Sequence, residues 1–134
     1  MTCRMEPLLS AALRALTQSP PQLPALDDAS WDLLLRQAGA ANLLATLACL
    51  LEEQGFLHHI APAAREQLGW TRVLARRHRQ GVLWEVRQIR QALAGLDMPL
   101  ILLKGAAYTL AGLPPAHGRL FSDIDVLVPE ERLG

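Results

Sequence analysis

LILLKGAAYTLAGLPPAHGRLFSDIDVLV, residues 100–128, is the stretch whose reading decides the fold. The apolar run MPLILL, introduced by Pro99, fits a central strand covered on both faces. Lys104-Gly105-Ala106 then turns the chain into a helix-like AAYTLAG, followed by the turn-rich LPPAHG. RLFSDIDVLV alternates apolar and polar residues and stops at Pro129, which reads as a second strand. PEERLG looks like the opening of another helix. On this reading the chain ends two strands into a sheet. Such a sheet is marginal by itself, so the 134 residues are expected to be a fragment or a truncated homologue.

Upstream, the pattern is helical. Leu8, Leu9, Leu13 and Leu16 give Met5 to Thr17 the spacing of a short amphipathic helix, and SPPQLPAL breaks it. A second helix is predicted from an N-cap at Ser30 to Gly39, and a third from Ala41 to Gln54, ended by Gly55. FLHHIAP is a connector. Pro62 suits a first helical turn, and helical character persists to Gly95, so one long helix is predicted there. Trp70, Val73, Leu74, Leu83, Trp84, Val86, Ile89 and Leu93 surround much of it, which predicts burial on more than one side. The expected class is therefore α+β. A helical N-terminal region spans residues 1–95, and the first strands of a second region begin at residue 96.

Composition narrows the function. With 51% hydrophobic and 19% charged residues, the chain has the makings of a buried core and is not disordered. Thirteen basic residues balance thirteen acidic ones, which argues against a polycationic nucleic-acid binder but leaves a local basic patch open. The longest uncharged stretch, Gln37 to Leu51, is too short and polar to span a bilayer, and Arg4, Glu6 and Arg14 spoil any secretory signal. Cys3 and Cys49 lack metal-type spacing. A cytoplasmic protein without membrane association is expected.

Chemistry concentrates in two places. On a strand, Asp123 and Asp125 share a face and Ile124 takes the other, with the aspartate Cα atoms about 7 Å apart. Two carboxylates so placed can converge on Mg²⁺, which favours a couple of carboxylates plus phosphate oxygens and water. The same pair also reads as solvated aspartates at a sheet edge. In LILLKGAAY, a strand running through a glycine into a helix offers free backbone donors to a phosphate. Gly105 permits close approach and Lys104 supplies charge. A tight turn with a snorkelling lysine reads equally from that segment. Neither Walker A spacing nor the Rossmann glycine pattern is present.

Taken together, LLKGAAY and GRLFSDIDVLV resemble the signature of the uncharacterised nucleotidyltransferase family within the DNA-polymerase-β-like superfamily. WDLLLRQAGAANLLATLACLLEEQG is similar to that family's helical N-terminal region. The resemblance implies that residues 96–134 begin a polymerase-β-like catalytic core. It also implies transfer of a nucleoside monophosphate from an NTP to an unidentified acceptor. Asp123 and Asp125 would hold Mg²⁺, two ions in a complete site, while Lys104, Gly105 and Ala106 would contact the triphosphate. Arg119 matches the family's arginine and would reach a phosphate or pair with the aspartates. Ser122 would lie near the metal or simply enter the strand. Ala106 stands where many members carry serine, and sixteen residues separate it from Asp123, more than the usual interval. The third acid that normally completes the site falls on a later strand, so these 134 residues are expected to be catalytically incomplete.

Arg65, Arg72, Arg76, Arg79, Arg87 and Arg90 fall within a sector of about 80° on the long helix. This is a solvated face or a stripe that steers a polyanion. His58 and His59 show no ligand spacing, and His117 sits in a glycine-flanked loop. Two other readings compete with the bacterial transferase that the resemblance suggests. One is a toxin-type nucleotidyltransferase acting on RNA. The other is a non-catalytic helical interaction module with a degenerate transferase remnant.

Overall fold

The computed structural model describes residues 7–132 and divides into two compact units, Met1–Val73 and Leu74–Gly134. Helices α1 (Leu8–Thr17), α2 (Asp28–Ala40), α3 (Leu44–Glu53) and the long α4 (Pro62–Leu93) precede strand β1 (Ile101–Leu102), helix α5 (Lys104–Leu110) and strand β2 (Val126–Leu127). The chain is mostly helical with a two-stranded antiparallel sheet, which makes it α+β as expected. Met5, Cys3 and the last two residues of PEERLG lie outside the described residues.

In the first unit, several helix ends are closed by specific contacts. Pro7 offers α1 no side-chain cap, and the Leu9 amide donates instead to Gln37 Oε1 of α2 at 2.9 Å. Asp27, not Ser30, caps α2. Its carboxylate accepts from the Ser30 amide at 2.8 Å, so Ser30 is the donor three residues inside the cap. Asn42, at φ 57°, reverses the chain after α2, which delays α3 to Leu44. Gly55, at φ 74°, ends α3 as predicted, and the connector winds into a 3₁₀ turn over Phe56–His59.

These helices bury one core. Leu9, Leu16, Trp31, Leu34, Leu47, Leu51 and Ile60 pack with Ala64 and Leu68 from the start of α4. Arg72 forms a two-pronged ion pair with Glu52, and Arg65 donates to the Ile60 and His58 carbonyls. Two members of the arginine stripe therefore anchor this unit. Cys49 is half-buried. Burial pushes its thiol pKa up, Glu53 adds to the shift, and Arg72 opposes both.

The second unit has a smaller core. Val82 and Val86 of α4 meet Ala106 of α5, with Leu102, Phe121 and Ile124 packed alongside. The expected burial of α4 on several sides does not occur. In the first unit Trp70 is 67% exposed, and in the second Trp84 is 58% exposed, so each stretch buries a single stripe. Nor is β1 doubly covered. Only Ile101 and Leu102 pair, and Ile101 and Leu103 remain exposed, because a two-stranded sheet leaves its faces and edges open. The long second strand likewise contracts to Val126–Leu127. LPPAHG contains a 3₁₀ turn at Pro114–Ala116, and Glu130–Arg132 forms another. Among the described residues, no helix is long and apolar enough to cross a membrane.

Two measurements check the first unit. Leu47→Ala removes a fully buried side chain and is expected to cost about 2–5 kcal/mol in chemical denaturation. Hydrogen bonds from the Ser30 hydroxyl and amide hold the Asp27 carboxyl below its ordinary value of 3.8. Its contribution is therefore present above that value and lost as pH falls through the lowered one. Asp27→Ala should lower Tm at pH 7, and the difference from the parent should shrink below about pH 4.

Candidate functional site

The antiparallel register fixes the site. Ile101 faces Leu127 and Leu102 faces Val126, and one step further the Leu103 amide donates to the Asp125 carbonyl at 3.0 Å. The same register brings Lys104 alongside Asp123-Ile124-Asp125. Ile124 turns into the small core, while Asp123 stays exposed and Asp125 half-buried on either side of it. Ile124 thus takes the apolar side, as the sequence pattern predicts for it.

Lys104 makes the corner. Leu103 before it is extended, and Lys104 itself, at φ 50°, adopts the left-handed conformation as α5 begins. An L-residue with a Cβ pays roughly 1–2 kcal/mol for that geometry. The turn carries the ammonium to 3.0 Å from Asp125 Oδ2. The lysine side chain is 70% exposed and the aspartate 40%, so the pair is weak in water and exchanges readily.

Gly105 is buried, and the atoms it admits are the protein's own. A Cβ on Gly105 would lie 2.7 Å from Phe121 Cδ1 and 2.9 Å from Cε1 and Cγ. Glycine is therefore required here by an aromatic ring, whatever its backbone also offers a ligand. Ala106 is 1% exposed, with its methyl in the Val82–Val86 cluster, so the residue, backbone included, is closed to solvent and does not meet the expectation of a phosphate contact. The first turn of α5 has no side-chain cap. Thr109 instead donates back to the Gly105 carbonyl at 2.8 Å.

Arg119 does not join the aspartates. Its guanidinium lies 5.6 Å from the centroid of the Tyr108 ring on α5, where it forms a cation–π contact. Ser122 is exposed beside Asp123. The structure therefore brings Lys104 and Asp125 together next to Gly105, leaves Asp123 exposed two residues earlier in the chain, and ties Arg119 to Tyr108. Among the described residues, no group of three or more His, Cys, Asp or Glu side chains could hold a metal ion. A cavity of about 610 Å³ in this unit, between Val86, Arg90, Leu93, Asp97, Leu102 and Leu110, includes none of these residues.

One neighbour escaped the sequence reading. His78 of α4 packs edge-on against Phe121, with ring centroids 4.7 Å apart at 90°, and its Nε2 accepts from the Phe121 amide at 3.4 Å. The signal was its phase. His78, Val82 and Val86 recur at four-residue intervals on the buried stripe of α4.

Residues 27–134 match the family described as Uncharacterised nucleotidyltransferase, and the chain belongs to it. No curated protein and no solved structure matches the chain. The match reaches back through α2, α3 and α4, so the helices are part of the family's domain and not an unrelated extension.

The packing at Gly105 is directly testable. Gly105→Ala is expected to destabilise the protein by about 1–3 kcal/mol, because the new methyl overlaps the Phe121 ring. Combining it with Phe121→Leu should cost less than the two single changes added together, measured in a double-mutant cycle.

Proposed function

We propose that Lys104, Gly105, Asp123 and Asp125 form the nucleotide- and metal-binding corner of a Mg²⁺-dependent nucleotidyltransferase that moves a nucleoside monophosphate from an NTP to an acceptor. The observation that carries this reading is the 3.0 Å contact between Lys104 Nζ and Asp125 Oδ2. It joins the two sequence motifs in one place and shows Asp125 already facing a cation. The donor set fits Mg²⁺, which binds through one or two carboxylates and leaves its other positions to phosphate and water. Asp123 and Asp125 would hold the ion, or the first of two. When bound, Mg²⁺ supplies charge neutralisation of the phosphate oxygens during in-line displacement.

The chain's own groups account for the rest. Before loading, the Lys104 ammonium offsets the charge of Asp125, which would otherwise repel an incoming polyphosphate. Once a triphosphate arrives, the exposed pair opens and Lys104 turns to the phosphate oxygens. Arg119 and Ser122 flank the corner and would bind the nucleotide at its edge. The acceptor nucleophile bonds to the α-phosphorus, the bond to the bridging oxygen breaks, and pyrophosphate leaves. The neutral net charge gives no support to a nucleic-acid acceptor over a small one.

Nucleotide titrations with and without Mg²⁺ test this reading. Asp123→Asn combined with Asp125→Asn is expected to remove the Mg²⁺-dependent part of NTP affinity, a loss of tenfold or more. Identical binding by parent and variant would identify a non-catalytic module. Lys104→Gln should act in opposite senses: Mn²⁺ affinity without nucleotide rises a few-fold as a competing cation is removed, and NTP affinity falls. An unchanged Mn²⁺ affinity would separate Lys104 from the metal site.

A further inference from the structure

The segment bearing the two aspartates has few holds. At its end, the Asp125 carbonyl accepts from Leu103. In its middle, Ile124 reaches the small core. At its start, the Phe121 amide donates to His78 Nε2, and the Phe121 ring is wedged between the His78 ring and the bare Cα of Gly105. His78 belongs to α4 and is 43 residues away in sequence, so this contact ties the aspartate segment to a rigid element.

We infer that His78 is a positioning residue for the aspartate pair. Through the Phe121 amide and ring, it sets the height of Asp123 and Asp125 against the Lys104–Gly105 corner. The step about the metal-binding pair rests on the function proposed above, whereas the placement itself does not. The physical case is a matter of what otherwise fixes the register. Strands of two residues specify it weakly, and a shift of one residue would exchange Ile124 for an aspartate on the core face. A backbone amide held by an acceptor from a separate helix resists that shift in a way that apolar packing alone does not. The neutral imidazole supplies one acceptor nitrogen, and here Nε2 fills that role, which leaves Nδ1 to carry the proton. The two rings stand at right angles with centroids 4.7 Å apart, a favourable aromatic geometry. Histidine thus gives both an acceptor and an aromatic edge at one position, and the two can be separated by substitution.

Two variants of the whole chain do so. His78→Phe keeps an aromatic edge and loses the acceptor, and His78→Gln keeps an acceptor at similar reach and loses the ring. Amide hydrogen exchange, read residue by residue by NMR, and Mn²⁺ affinity are measured on both and on the parent. In His78→Phe, exchange at Phe121 is expected to quicken about fivefold relative to the α4 amides at Val82 and Val86, the change one ordinary hydrogen bond implies. Mn²⁺ affinity should drop by a similar factor, and His78→Gln should recover most of both. The inference is overturned if His78→Phe leaves Phe121 exchange unchanged. It is equally overturned if the two variants lose protection uniformly across the unit, in step with Tm. Should the parent bind no Mn²⁺, the proposed function fails, and Phe121 exchange still decides the role of His78.

Discussion

The second unit depends on the pairing of Leu102 with Val126, because every functional juxtaposition is counted from it. That register sets the Leu103 amide against the Asp125 carbonyl, and Lys104 then stands beside the aspartates. With strands only two residues long, the ladder alone cannot hold such a register. It is held instead by side chains that accept only one face: Ile124 in the apolar cluster and Phe121 against a glycine with no room for a methyl. The core is small, and to its steric constraint the Phe121 amide adds a hydrogen bond to His78.

A charge arrangement follows from this packing. Asp125 meets an ammonium and Asp123 remains exposed beside it, so the corner presents both signs within a few ångströms. On the function proposed above, such a surface would take a ligand that also carries both signs, a polyphosphate with its cation. The left-handed backbone at Lys104 is consistent with that use, since locally strained residues persist where surrounding structure enforces them and cluster at functional sites. The family to which residues 27–134 belong points the same way.

Much of this was legible in the sequence, for identifiable reasons. Gly55 and Pro62 marked helix boundaries because their backbone preferences are strong and local. The inward turn of Ile124 was legible because an apolar residue between two aspartates had only one place to go. Other features needed the third dimension. Asp27 and Ser30 are both capping residues, and only the hydrogen bond shows which one accepts. MPLILL suggested a buried strand, yet apolar composition does not state how many strands will cover it. Trp70 and Trp84 looked like core and are exposed, because hydrophobicity gives no direction without a partner. Gly105 was read as room for a phosphate, and Phe121 turned out to occupy its Cα face. His78 has no ligand-type spacing to mark it in the sequence, and only its position on the valine stripe of α4 signals a packing and acceptor residue.

The central claim is that a divalent cation enters at the lysine corner between the two acids. Paramagnetic broadening of backbone amide signals by substoichiometric Mn²⁺ locates such an ion directly. The account requires the broadening to centre on Asp123, Asp125, Lys104 and Gly105, with the amides of α1 to α3 unaffected. Broadening centred on other acidic residues, or spread evenly over the surface, would contradict it.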